Sequence, residues 1–166
     1  MNANVDDRDD EQLAEALVAG LQAGATVGEL RGISSDMLEG VYAYAYRFYE
    51  NGQIEEAEVF FRFLYLYDFY NGEYALGLAA VYQMKRQYQK AIDMYAVAYA
   101  LTKNDYRPMF HVGQCQLGLR KLNLARDCFE TVVQKSQDEG LVARARSYLE
   151  VIADTQANDT AAKERE

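Results

Sequence analysis

The chain has 166 residues, half of them apolar, with one proline and a formal net charge of −9 from 26 acidic against 17 basic residues. That length holds one domain with a genuine core, and the apolar share fits a folded chain rather than a disordered one. So acidic a surface lacks the cationic face that displaces counterions from DNA or RNA, and it suits an anionic lipid surface no better, so neither is an expected partner.

In chain order, the first residues include Asp6, Asp7, Asp9, Asp10 and Glu11, which read as a solvated tail rather than a metal cage, with no charged-then-apolar leader before them. No stretch approaches the roughly 20 apolar residues of a membrane span, so the expectation is a soluble cytoplasmic protein without membrane insertion. Residues 10–22 carry Leu13, Ala16, Leu17 and Leu21 at helical spacing, and Gly24 stands where that helix would end. Thr26 with Glu29 suits a capping box around a short turn, and Ser35 suits the cap of the helix that follows.

From residue 37 the sequence repeats itself. Ala57, Ala91 and Ala125 stand 34 apart, as do Phe61, Tyr95 and Phe129 four residues on, and Ile54, Tyr88 and Leu122 three residues before. Upstream, Tyr44, Leu78 and Val112 align, followed by Ala45, Ala79 and Gly113, then by Phe48, Tyr82 and Gln116. Six columns hold one register without an insertion. A 34-residue period with small residues where two helices cross marks the tetratricopeptide repeat. A small side chain lets the two helices of a unit approach, and the aromatic four residues later fills the space beside it. The units fall at 37–70, 71–104 and 105–137. They depart from the usual pattern at the tryptophan position (Val41, Ala75, Met109), at the closing proline (Phe69, Lys103) and at the turn glycine, which survives only as Gly52 while Arg86 and Arg120 replace it. Residues 41–46, Val-Tyr-Ala-Tyr-Ala-Tyr, alternate with the period of a strand; their place in the first helix of unit one overrides that local pattern, and a helix is expected.

Beyond the repeats, Leu141, Ala145, Tyr148 and Ile152 form one apolar stripe, with Arg144 and Arg146 off it. A stack leaves its last unit exposed, so residues 138–155 are assigned as a capping helix and 156–166 as a polar, disordered tail. The expected fold is all-α: three tandem repeats, a helix before them and a cap after them.

No phosphate loop, nucleophile elbow or zinc-protease helix is present, and no cofactor is implied. His111 is the only histidine, and nothing beside it suggests a nucleophile; it reads as a packed or rim residue. Cys115 and Cys128 with one imidazole do not make a four-ligand zinc site. A disulfide between them is geometrically open but not required, and ordinary reduced thiols are the expectation.

Function is therefore sought in a groove. In stacked helix pairs the first helices line the concave side, and repeat geometry points four positions of each first helix inward. Those positions are Glu39, Tyr42, Tyr46 and Tyr49; then Glu73, Leu76, Ala80 and Gln83; then Arg107, Phe110, Gln114 and Leu117. Tyr42, Tyr46 and Tyr49 make one ridge on one helix, with apolar area and hydroxyls suited to an extended peptide carrying spaced hydrophobic anchors. The competing reading is that these tyrosines only fill space between helices, as Tyr44 and Tyr95 are expected to do in the core. The Lys, Arg and Asn set of a carboxylate clamp is lacking, so an apolar segment is a better guess than an acidic C-terminus.

The segments running Tyr42–Tyr49, Glu55–Leu64, Tyr67–Asn71, Gly77–Ala80, Tyr95–Ala98, Lys103–Pro108 and Gly113–Leu117 resemble class II type III secretion chaperones, and the invasion-type branch of SicA and IpgC more than the SycD branch. The resemblance runs from about Gly24 to Ile152. It implies a bacterial cytoplasmic chaperone for two hydrophobic translocator proteins, holding an extended N-terminal translocator segment in the concave groove, with Tyr42, Tyr46 and Tyr49 on family binding positions. It also implies a homodimer through the N-terminal region, here the Leu13, Leu17 and Leu21 stripe, and, for this branch, co-activation with an AraC-type transcription factor. A generic repeat scaffold or regulatory interaction module remains the alternative use of the same groove.

Overall fold

The computed structural model describes residues 15–16 and 18–163, and every regular element among them is a helix. They are α1 (18–22), α2 (Val27–Leu30), α3 (Ser35–Glu50), α4 (Ile54–Tyr67), α5 (Gly72–Met84), α6 (Tyr88–Leu101), α7 (Arg107–Gly118), α8 (Leu122–Lys135) and α9 (Glu139–Lys163). The alternating stretch 41–46 lies inside α3 and is helical. Each of α3 to α9 packs on the next in line, which is the helix-turn-helix stack of three tetratricopeptide repeats, α3–α4, α5–α6 and α7–α8, closed by α9.

The turn inside each repeat is the same hydrogen-bonded device three times. Gly52 N–H donates to Tyr49 O and Gln53 N–H to Phe48 O; Arg86 to Gln83 and Gln87 to Tyr82, and Arg120 to Leu117 and Lys121 to Gln116, repeat the pattern at 2.9–3.0 Å. These are Schellman motifs, whose pivot residue must be left-handed. Gly52 has φ +74°, and Arg86 and Arg120 hold φ +57° and +59°. The lost turn glycines therefore did not remove the turn; two arginines carry its strain. Gly24, at φ +90°, ends α1 by the same motif.

Between repeats the chain is stopped and restarted by side chains. Asn71 Oδ1 accepts from Glu73 N–H at 3.0 Å to begin α5, Asp105 Oδ1 accepts from Arg107 N–H at 2.9 Å to begin α7, and Asp138 Oδ1 accepts from Leu141 N–H at 2.9 Å to begin α9. Upstream, Thr26 and Glu29 form the expected capping box around α2. The first repeat helix is capped by Ser34, not Ser35: the Ser34 hydroxyl accepts from Met37 N–H at 3.3 Å while its backbone stays extended, and Ser35 is already helical.

Small residues at the crossings are occupied as the columns require. Ala45, Ala57, Ala79, Ala91 and Ala125 are fully buried, and Phe61, Tyr95 and Phe129 fill the space beside them. A Cβ built on Gly77 would lie 2.1 Å from the Phe61 ring, and one on Gly113 would lie 2.7 Å from Phe129. Those contacts are possible only without a side chain. The C-terminal core gathers Phe110, Phe129, Val132, Leu141, Ala145 and Ile152, so α9 does seal the last pair.

Two expectations are amended. Tyr44 is 57% exposed, its ring beneath the Arg47 guanidinium, because α3 packs on α4 and α5 and, among the described residues, no full helix pair precedes it on the other side. The helix assigned to 138–155 continues to Lys163: no glycine or proline follows Gly140, and Ala157, Ala161 and Ala162 are strong helix formers. Of the stripe assigned to dimerisation, Leu13 and Leu17 lie outside the described residues, and Leu21 is 37% exposed on α1. Among the described residues no helix is long and apolar enough to cross a membrane.

Candidate functional site

The first helices of the repeats, α3, α5 and α7, form the wall of an open hollow of about 600 Å³. From α3 it takes Tyr42, Tyr46 and Tyr49, at the i, i+4, i+7 spacing that puts one helix face toward one surface. Neighbouring rings along the ridge lie 6.4 and 6.5 Å apart. Tyr42 also meets Phe61 edge-on at 6.0 Å and Tyr74 at 5.6 Å, so the near end of the ridge is braced by the core while Tyr46 stays 48% exposed. Burial pushes the Tyr42 and Tyr49 phenols above their ordinary value of 10.0, further from titration at physiological pH.

From α5 the hollow takes Leu76, Ala80 and Gln83, and from α7 Gln114. The absent side chain of Gly77 opens the floor onto Phe61, and Tyr95 of α6 reaches the floor from below. At one edge, Arg107 pairs with Glu73, the residue one repeat earlier, and with Asp105 at 2.8 Å. These partners, Asp105 foremost, hold the guanidinium protonated. The opposite edge is a chain of hydrogen bonds: Tyr95 O–H to Gln83 Oε1 at 2.7 Å, Gln83 Nε2–H to Gln114 Oε1 at 3.2 Å, and Gln114 Nε2–H to the Tyr148 phenol oxygen Oη at 2.9 Å. His111 lies flat on Tyr95, 5.2 Å between ring centres, with Nδ1 at 2.9 Å from Gln114 Oε1. Burial holds its imidazole below the usual range, with Arg144 and Arg107 adding to that effect and the Gln114 bond opposing it.

Seven of the nine residues assigned to the groove thus share one surface: Tyr42, Tyr46, Tyr49, Leu76, Ala80, Gln83 and Gln114. Phe110 and Leu117 do not line it. Phe110 is 1% exposed, edge-on to Phe129 at 5.5 Å and Tyr148 at 5.6 Å, and Leu117 packs on the same C-terminal core. The reason is α9, which folds against α7 as well as α8 and covers the face that its counterparts Tyr42 and Leu76 leave open. Glu39 is exposed and outside the hollow. Sequence reasoning missed Phe61, Gly77, Tyr95 and His111 as lining residues. Gly77 next to Leu76 was the readable signal, since a glycine within an apolar helix marks a close approach. The free thiols Cys115 and Cys128 are not joined; burial pushes the Cys115 thiol up to about 12. A second hollow of about 700 Å³ lies between α4, α5 and α6, lined by Val59, Phe63, Leu66, Phe69, Tyr82 and Met94, and none of the predicted groove positions opens on it.

An aromatic ridge, an apolar floor and two polar edges make a surface of the kind that suits a bound chain segment better than a reaction. The tetratricopeptide-repeat family profile matches residues 38–71 and 73–105. The chain is 50% identical over 157 residues to the chaperone protein SicA of Salmonella dublin, covering 95% of each. It is similar to PcrH in complex with the chaperone-binding region of PopD (31% identity, TM-score 0.71, 75% of this chain and 97% of that one). It is likewise similar to the Yersinia enterocolitica chaperone SycD with a peptide of the translocator YopD (30% identity, TM-score 0.70, 75% and 98%). The chain belongs to the class II type III secretion translocator chaperones, a family of chaperones and not of enzymes.

Proposed function

We propose that the chain is a bacterial cytoplasmic chaperone that holds an extended N-terminal segment of hydrophobic translocator proteins in the α3–α5–α7 groove. The observation that carries this reading is the meeting of Tyr42, Tyr46 and Tyr49 with Leu76 and Ala80 on one open, mostly apolar hollow. A stretched segment laid across it seats apolar side chains between rings while its backbone reaches the polar edges. Translocators carry membrane-seeking helices, which aggregate in water when exposed. Occupying and releasing a segment needs no nucleotide. PcrH with the chaperone-binding region of PopD and SycD with a peptide of YopD support translocator segments as the ligand, and the SycD structure described as an alternative dimer supports a homodimer; Leu21 on α1 is our proposal for its N-terminal contact.

The test is Tyr46→Ala, titrated by fluorescence anisotropy against labelled N-terminal segments of the two translocators of the same secretion system. A central anchor contributes about 2 kcal/mol or more, so affinity is expected to fall about thirtyfold while the helical circular-dichroism signal stays unchanged. Equal affinity of variant and wild type for both segments would remove the groove from the mechanism. A protein that recovers other cargo and neither translocator would fit the scaffold reading instead.

A further inference from the structure

His111 is the only histidine of the chain, and it lines the hollow. Three of its contacts are fixed by neighbours. Its ring lies on Tyr95 of α6 with 5.2 Å between centres and 12° between planes, and Phe110 meets it edge-on at 5.6 Å. Nδ1 stands 2.9 Å from Gln114 Oε1, the oxygen that also accepts from Gln83 Nε2–H. The neutral ring therefore carries its hydrogen on Nδ1, and a second proton adds at Nε2. With those sides filled, the half-buried imidazole meets water through the hollow itself.

The charges around the ring oppose that second proton. From α9, the Arg144 guanidinium lies 4.9 Å over the Phe110 ring, and among the described residues no salt bridge neutralises it. Arg107, at the start of α7, is a second cation. The acids on that side, Asp105 before α7 and Glu73 of α5, are both bound to Arg107. The other titratable neighbours are Tyr95 of α6, Tyr148 of α9 and Tyr42 and Tyr49 of α3, which bring phenols rather than charges, while α8 meets this part of α7 through Phe129. An imidazolium at this place thus depends on water in the hollow for its stabilisation. An apolar segment laid over it would remove that water and leave the charge facing two guanidiniums, which is disfavoured.

Resting on the groove reading above, we propose that His111 makes the groove acid-releasable: proton uptake at its imidazole and occupation of the hollow by an apolar segment exclude one another, so cargo is held at neutral pH and loosened as pH falls. The sign follows from linkage. If the bound segment weakens proton binding by some factor, the proton weakens segment binding by the same factor. Binding from the protonated state releases the Nε2 proton to solvent, and binding from the neutral state releases none.

The experiment has two arms, both on the full chain prepared without a histidine tag. In the first, the imidazole signals of the sole histidine are followed by NMR from about pH 7.5 to about pH 5, with and without a saturating peptide. The peptide is an N-terminal segment of a translocator of the same secretion system, with Asp and Glu replaced by Asn and Gln and histidine by Asn. The titration midpoint is expected to move to lower pH in the complex. In the second, the same peptide carrying tetramethylrhodamine is titrated by anisotropy at both ends of that range, with circular dichroism confirming that the fold persists. Wild-type affinity is expected to fall about threefold or more on the acid side, and His111→Phe, which keeps a ring there and cannot titrate, is expected to hold its affinity. Where His111→Phe fails to fold, the NMR arm decides alone. If the midpoint stays put or rises on binding, or both proteins lose affinity equally in acid, the proton switch is overturned; the groove stands so long as Tyr46→Ala weakens the peptide at neutral pH. If Tyr46→Ala leaves affinity unchanged, the groove itself is overturned.

Discussion

His111 shows how a single residue couples the groove to stability. Its imidazole is held below the usual value of 6.5, so the unfolded chain takes up the proton first. Between the two values the unfolded state binds more protons, and stability rises with pH. The stabilising contribution is complete above 6.5 and is lost as pH falls below it. His111→Asn is therefore expected to flatten the fall of the thermal midpoint between about pH 7 and pH 5; equal slopes for both proteins would assign the acid sensitivity to other groups. Arg86 and Arg120 make a second case. A left-handed L-residue costs about 1–2 kcal/mol, and glycine returns about half of that to the unfolded chain as entropy. Arg86→Gly or Arg120→Gly should raise stability by about 0.5–1 kcal/mol in urea melts, and a loss would show that the arginine side chain offsets its own strain.

Among the elements, α5 is the most heavily buried, with Gly72, Tyr74, Ala75, Leu78, Ala79 and Val81 all inside. It divides two aromatic layers, and Gly77 lets it lie on Phe61 while presenting Leu76 and Ala80 to the hollow. Gly77→Ala drives a methyl group into a ring that has no room to retreat. A loss of about 1–3 kcal/mol is expected from overpacking, against the gain alanine normally brings to a helix interior; a stabilised variant would mean that Phe61 can move. The cap is as consequential. Tyr148 stacks on Phe129 at 4.8 Å, and Leu141, Ala145 and Ile152 of α9 are buried on the face it turns to α7 and α8. Ending the chain at residue 138 strips these contacts, each large side chain contributing about 1.5–3 kcal/mol. Amides of α8 should then lose their hydrogen-exchange protection while those of α3–α6 keep theirs. Full protection of α8 in the shortened chain would contradict this account.

For the whole molecule, the 34-residue period specified the stack because three units in one register leave only one way to bury Ala45, Ala79 and Gly113 against the next helix. The exposed Val59 and Leu66, 67% and 62% accessible, show that a stack this short leaves apolar surface on its second helices as well as in its groove. The dimer proposed above concerns the opposite end. Leu21→Asp places a charge on the exposed face of α1 and is expected to shift the protein toward monomer in light scattering at micromolar concentration, with the circular-dichroism spectrum unchanged. An unaltered mass would move the contact away from α1.

The sequence alone determined what depends on period and composition: helices at 34-residue spacing, the aromatic ridge Tyr42–Tyr46–Tyr49 on one face of α3, and the absence of a catalytic constellation from its motifs. It was silent where two distant elements compete for one surface. Phe110 occupies the same repeat position as Tyr42 and Leu76, yet lies in the core because α9, lying beyond the three repeats, folds back over α7. Tyr44 shares a column with buried Leu78 and is exposed because, among the described residues, no helix pair stands before α3. The row from Tyr95 through Gln83 and Gln114 to Tyr148 joins residues 12, 31 and 34 positions apart. Local periodicity places each of these side chains on its own helix, but hydrogen-bond geometry is satisfied only when the superhelical stagger brings four helices together, and that stagger exists only in the folded stack.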